Sequence, residues 1–400
     1  MRSDRDIRDH RVKGFKASAV AAGLKKNKGL DMALIYSEKE ATAAGVFTTN
    51  KVRAAPVILS EANIRSGKAR AIIANAGNAN ACTGEKGLSN ARRTAELAAG
   101  ELGIQPEEVL VASTGVIGAQ LNMDLVAAAI PRLSQGLDPE GISRAAEAIM
   151  TTDSFPKVSR FEGRADGSPY HILGFAKGAG MIMPRMATML CFVLTDIKMD
   201  AGPLSRALSA AAEATFNRIS VDGDTSTNDT VLVLANGLAG NGDLNGEDHE
   251  AFQRGLTSVM DDLAFMIVKD GEGATKVVRI LVKGAASGPD AETAARTIAN
   301  SSLVKTAFYG QDPNWGRIMA AIGRSGIRMK EEDVSIFVND IQIVEGGLGK
   351  GADAEKAAAE YMKQDGFDLT VDLRQGMHED RMVTCDLTHE YVSINADYRT

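Results

Sequence analysis

Clustered strand-like and helix-like patterns predict an α+β layered fold for this chain of 400 residues. Two observations carry that expectation. Short apolar runs bounded by turn residues come in groups, without the strict β-α-β-α rhythm of a doubly wound parallel sheet. The composition, 44% hydrophobic and 24% charged, suits a soluble globular protein with a large core, and no repeat period or low-complexity segment interrupts it.

Taken in order, MALIY (32–36), AGVFTT (44–49), APVIL (55–59) and RAIIAN (70–75) read as strands. A helix follows over 89–102 with Ser89 as its N-cap, and EVLVASTG (108–115) is a strand ending on a Ser-Thr-Gly turn. Helices are expected around 122–134 and 138–150. MLCFVLT (189–195) is a strand, 203–219 an amphipathic helix, DTVLVLANG (229–237) a strand, 247–270 a long helix and TKVVRILVKG (275–284) a strand. The remainder repeats the mixture: a helix near 290–307, strands near 334–345, a helix at 353–364, and strands at 367–373, 382–387 and 390–395. No domain boundary shows in the composition.

The net charge of −7 argues against general nucleic-acid binding, which leaves a basic footprint. Cys82, Cys191 and Cys385 are odd in number and far apart, as expected of reduced thiols in the cytoplasm. Neither CxxC nor HExxH spacing occurs, so no metal is expected. The start, MRSDRDIRDHRVKGF, lacks the apolar core of a secretory signal, and its three aspartates argue against a transit peptide. The longest apolar runs, MLCFVL and LAFMIV, are too short for a membrane span. A cytoplasmic protein is the expectation.

Several stretches imitate sites without completing them. Residues 241–252 follow a calcium loop through Asn241, Asp243, Asn245 and Gly246, then place Phe252 where a bidentate glutamate is needed. GNANACTG (77–84) lacks the lysine of a phosphate loop, and the five histidines are scattered.

KGAGMIMPRMATMLCFVLTD (177–196) is different. A hydroxyl nucleophile needs a base, and a threonine with a free α-amine carries one within the same residue. Cleavage before Thr188 would create it: the hydroxyl attacks the Ala187 carbonyl, an ester forms by N-to-O acyl shift, and water releases it. The small Ala187, the flexible Gly178 and Gly180, and the anchoring run MLCFVLT meet the demands of that route. The freed amine, near pKa ~7.7–8.0 when unperturbed, suits base duty at neutral pH. An unprocessed loop before a buried strand is the plainer alternative. The turn at 113–115 can aim a hydroxyl and backbone N–H groups at one oxyanion, or simply be a turn. TTDSFPK (151–157), SVDGDTSTNDT (220–230) and DGEGATK (270–276) are unusually polar loops, although acid-rich turns are commonly just solvated.

Together AAGVFTTN, IIANAGNANACTG, STGVIG, MTTDSFPK, KGAGMIMPRMATML, SVDGDTSTNDT, DGEGATK and DPNWGRI resemble the ornithine acetyltransferases, the bifunctional glutamate N-acetyltransferases of arginine biosynthesis. These strings run nearly end to end along the chain. The resemblance implies a four-layer α-β-β-α sandwich similar to N-terminal-nucleophile hydrolases, with further α/β material in the C-terminal part. It implies a cut between Ala187 and Thr188 into an α chain (1–187) and a β chain (188–400) forming one intertwined catalytic unit, two of each making a heterotetramer. By position Thr188 is then the nucleophile, and Thr114 and Gly115 line the oxyanion hole. Thr151 or its neighbour Thr152, Lys177, Thr188, Glu272, Asn395 and Thr400 form the substrate-binding set, so the tail INADYRT should be ordered. The implied reaction moves acetyl from N2-acetylornithine to glutamate by a ping-pong route, with Lys177 as partner of the shared α-carboxylate and Glu272 facing ornithine's ammonium. No bound cofactor is implied; acetyl-CoA is a co-substrate in part of the family. MIMPRM is bulkier than the small residues expected in that loop, a departure from the family pattern that leaves the Ala187–Thr188 junction intact. A self-cleaving aminopeptidase or amidase of the same architecture is the nearest rival, and an uncut binding protein the next.

Overall fold

The computed structural model describes residues 10–183 and 189–397. The expected junction, Ala187 and Thr188, and the terminal Thr400 lie outside them. The chain forms two compact units: one of residues up to 217 with 224–267, the other of 218–223 with 268–399. The composition had shown no such division.

The first unit comprises β1 (Phe15–Val20), β2 (Met32–Phe47), α1 (Ala55–Asn63), β3 (Lys68–Asn75), α2 (Gly84–Leu102), β4 (Val109–Ser113), α3 (Met123–Gln135) and α4 (Ile142–Ala148). It continues with β5 (Lys157–Ala165), β6 (Ser168–Lys177), β7 (Leu190–Thr195) and α5 (Ala201–Ala214). After β8 (Ile219–Ser220), which belongs to the second unit, come β9 (Thr230–Ala235) and α6 (Gly246–Lys269). The sheet order is β4-β3-β2-β9-β7-β6-β5, with β1 also on β2. The pairs β3–β4 and β7–β9 are parallel within an otherwise antiparallel sheet.

Side-chain alternation sends successive residues to opposite faces of this sheet. Met32, Leu34, Ile73 and Val111 pack with α2 and α3. Their neighbours Ala33, Ile35, Ile72 and Ala112 join a second core with α4, β6 and β7. Burial on both faces explains why the strands read as nearly continuous apolar runs.

The second unit holds β10 (Val277–Ala285), α7 (Gly288–Ala299), α8 (Ser302–Tyr309), α9 (Trp315–Gly323), β11 (Ser335–Val338), β12 (Ile341–Glu345) and β13 (Leu348–Gly349). It ends with α10 (Ala352–Met362), β14 (Gly366–Asp372), β15 (His378–Cys385) and α11 (His389–Asp397). Its sheet runs β13-β12-β11-β14-β10-β15-β8. Val278, Ile280 and Val282 of β10 and Leu369 and Val371 of β14 form one core with α7 and α9. Two mixed sheets, each with helices packed on it, make this an α+β protein. No described helix is long and apolar enough to cross a membrane.

Two expected strands are helices. APVIL begins α1, where Pro56 sits in the first turn and its missing N–H has no intrahelical partner to lose. Residues 390–395 lie in α11, which buries none of its residues, so no burial pattern marks its period. Ser89 is interior to α2, which starts at Gly84 after Thr83. The helix expected over 290–307 is two, α7 and α8, broken at Asn300 and Ser301. MALIY and AGVFTT are one strand, β2, with a register shift between Tyr36 and Ala41. The hairpin β5–β6 and helix α9 had no counterpart in the sequence reading.

Candidate active site

In the first unit the expected residues converge on Lys177, the last residue of β6. Its side chain is carried inward by the sheet and is 4% exposed. Its Nζ donates to the Thr151 hydroxyl at 2.8 Å and to the Thr114 hydroxyl at 3.3 Å. Thr151 therefore joins the cluster, while Thr152 takes no part in these contacts. An ammonium in so dry a place needs compensating anions and acceptors, and a ligand carboxylate would fit that demand.

The turn after β4 is built by asparagines. The Thr114 N–H donates to the Asn75 carbonyl, and the Ser113 hydroxyl to Asn75 Oδ1 at 2.6 Å. Asn75 Nδ2 donates to the Asn78 carbonyl at 2.8 Å, and residues 78 and 114 form an isolated bridge. Gly115 has φ +126°, and a Cβ there would lie 2.4 Å from the Gly77 carbonyl carbon. Only glycine fits this close crossing of two backbones. GNANACTG thus does the work of a scaffold for the Thr114–Gly115 turn.

Asp153 is the member that sequence reasoning missed. Its carboxylate accepts from Lys157 Nζ at 2.7 Å, the Gly178 N–H at 2.6 Å and the Thr151 N–H at 2.9 Å. Both Asp153 and Lys157 have side chains wholly out of solvent. Burial alone would raise the carboxyl's pKa, but the charges of Lys177 and Lys157 and the bonds from Lys157 and Gly178 prevail and hold it at about 2. One carboxylate thereby fixes Thr151 and the backbone next to Lys177. The string TTDSFPK held the signal, since Lys157 lies four positions after Asp153, but only the fold shows that both are buried.

In the second unit, Asn395 of α11 donates to Glu272 Oε2 at 2.8 Å and to the Tyr391 carbonyl at 3.0 Å. The Thr388 hydroxyl donates to the Gly273 carbonyl, and a Cβ on Gly273 would meet Tyr391 N at 2.6 Å. The glycines around Glu272 let α11 seat against that turn. Thr114, Gly115, Thr151 and Lys177 are thus one cluster, and Glu272 with Asn395 another. Ala187, Thr188 and Thr400 are outside the described residues.

β7 begins next to the expected junction. The Met189 N–H donates to Asp229 Oδ1 at 3.0 Å, and the Met189 carbonyl accepts from the Thr230 N–H. Among the described residues, no group of three or more His, Cys, Asp or Glu is arranged to hold a metal ion.

Comparison with known proteins agrees along the length of the chain. The ArgJ family model matches residues 16–400. The "Arginine biosynthesis bifunctional protein ArgJ" of Geobacter sulfurreducens is 51% identical over 391 residues, covering 97% of this chain and all of that one. The "Glutamate N-acetyltransferase" of Methanocaldococcus jannaschii is 48% identical over 401 residues, covering 97% of each. The crystal structure of the bifunctional ArgJ protein from Bacillus halodurans is 45% identical, with a TM-score of 0.50. That match covers 52% of this chain and 98% of that one. The glycine-threonine strings of the sequence, the buried lysine between two threonines and these matches lead to one conclusion: the chain belongs to the ArgJ family.

Proposed function

We propose that this protein transfers the acetyl group of N2-acetylornithine to glutamate, giving ornithine and N-acetylglutamate, on an N-terminal Thr188 made by its own cleavage after Ala187. The observation that carries this reading is Lys177, buried with its ammonium between the hydroxyls of Thr114 and Thr151 and beside the Gly115 turn. Donor and acceptor share an α-carboxylate, and a single buried ammonium can serve both in turn.

Thr188 Oγ attacks the acetyl carbonyl as its own α-amine takes the hydroxyl proton. The tetrahedral oxyanion is stabilised at Thr114 and Gly115, where one donor is worth about 2.7–4 kcal/mol. The C–N bond breaks, the proton passes to ornithine's departing α-amine, and the acetyl remains as an ester on Thr188. Glutamate's amine then attacks the ester and restores the hydroxyl, completing a ping-pong cycle. Glu272, positioned by Asn395, is assigned ornithine's side-chain ammonium, and Thr400 completes the substrate set. The mature enzyme is a cytoplasmic α2β2 heterotetramer of chains 1–187 and 188–400, with no bound cofactor.

The test is intact mass of freshly purified wild-type protein beside Thr188→Ala, followed by ornithine release with and without glutamate. Two wild-type fragments meeting at 187/188, an uncut variant and glutamate-dependent release are expected. An uncut wild-type chain would remove the mechanism, and ornithine release without glutamate would make the protein a hydrolase.

A further inference from the structure

The segment SVDGDTSTNDT contains two adjacent residues whose side chains serve different parts of the first unit. Asn228 Nδ2 donates to the Ser113 carbonyl at 2.8 Å and to the Ala79 carbonyl at 2.7 Å. It thereby holds both strands of backbone beneath the Thr114–Gly115 turn. Asp229 accepts the Met189 N–H at 3.0 Å. Met189 is bonded directly to Thr188, so this carboxyl grips the chain one residue from the proposed nucleophile. The backbone carbonyl of Asp229 also accepts the Thr48 N–H.

Asp229 is 1% exposed, and its second oxygen, Oδ2, is buried. We propose that Asn228 and Asp229 are a positioning pair that holds the start of β7 in register with the Thr114–Gly115 turn.

Burial pushes the Asp229 carboxyl well above its ordinary value, against the opposing pull of the Met189 N–H, the Lys177 ammonium and the Thr48 and Ser226 side chains. Burial thus favours the neutral acid as the form that grips Met189. A neutral group suits the neighbour of Thr188 in the chain, because added negative charge favours the ammonium form of an amine, whereas catalysis needs the free base. The pair would act on self-cleavage and on acetyl transfer alike, through geometry and without touching the reacting atoms.

This inference rests on the self-cleaving reading, and the controls separate the two. Wild type, Asp229→Asn and Asp229→Ala are followed by mass spectrometry from synthesis onward, with thermal melting to confirm folding. Asparagine keeps the shape and the acceptor but cannot ionise. Asp229→Asn should cleave within about threefold of wild type, and Asp229→Ala at least about 30-fold more slowly. The cleaved fraction of Asp229→Ala should show reduced kcat with little change in KM. Failure of the wild type to cleave removes the proposed function itself. With wild type cleaving, an Asp229→Asn variant as slow as Asp229→Ala overturns the neutral clamp, and so does an Asp229→Ala variant at wild-type rate. If Asp229→Ala does not fold, the Asp229→Asn rate alone decides.

Discussion

Replacing Asp153 by asparagine should destabilise the first unit by about 3 kcal/mol at neutral pH. Two routes give that size. The carboxyl falls from 3.8 to about 2 on folding, which at ~1.4 kcal/mol per unit is on the order of 2–3 kcal/mol. Breaking a buried ion pair by removing one partner costs about 3–5 kcal/mol, and Lys157 would be left with its side chain wholly buried. At roughly 2–4 °C per kcal/mol, the melting temperature should fall by about 6–12 °C. The sign with pH is fixed: a depressed carboxyl stabilises above its unfolded value and loses that contribution as pH falls through its folded value. The gap between wild type and Asp153→Asn, measured by calorimetry, should therefore narrow as pH falls from 4 toward 2. Adding Lys157→Met should recover much of the loss, since an apolar side chain of similar volume needs no counter-charge. A gap under 1 °C at pH 7, or one unchanged down to pH 3, would refute the buried-pair argument.

Other outcomes follow from the same geometry. Lys177→Met should raise KM for both N2-acetylornithine and glutamate by about 100-fold, about 2.7 kcal/mol, and steady-state kinetics in which only one KM moves would contradict a shared carboxylate site. Gly115→Ala places a Cβ 2.4 Å from the Gly77 carbonyl carbon at φ +126°, so kcat should drop about 10²–10³-fold, and an unchanged kcat would remove the turn from the mechanism. Asp229 stabilises as a neutral acid below its unfolded pKa and loses that contribution as pH rises toward its raised folded value. The stability of Asp229→Asn relative to wild type should accordingly improve from pH 4 to pH 7, and melting curves with a constant difference would count against a neutral Asp229.

The sequence alone determined the α+β class, most long helices and the buried strands, because hydrophobic period and turn residues are local properties. It also determined the family, since eight short strings survive in order along the chain. It misassigned APVIL and 390–395, where a short apolar run fits either period and only its packing decides. Thr114, Gly115, Thr151 and Lys177 were legible as motif residues, but their convergence was not. Asp153 lay in a polar loop that resembled a solvated turn until the fold buried it against Lys157. Asn228 and Asp229 looked equally ordinary in a polar string. Tertiary structure gave each a different task, because hydrogen-bond partners 115 and 40 residues away come within reach only after the sheet has formed. Burial then acts differently on the two carboxyls: at Asp153 the Lys177 and Lys157 ammoniums outweigh it and hold the pKa down, while at Asp229 it outweighs the opposing contacts and pushes the pKa up.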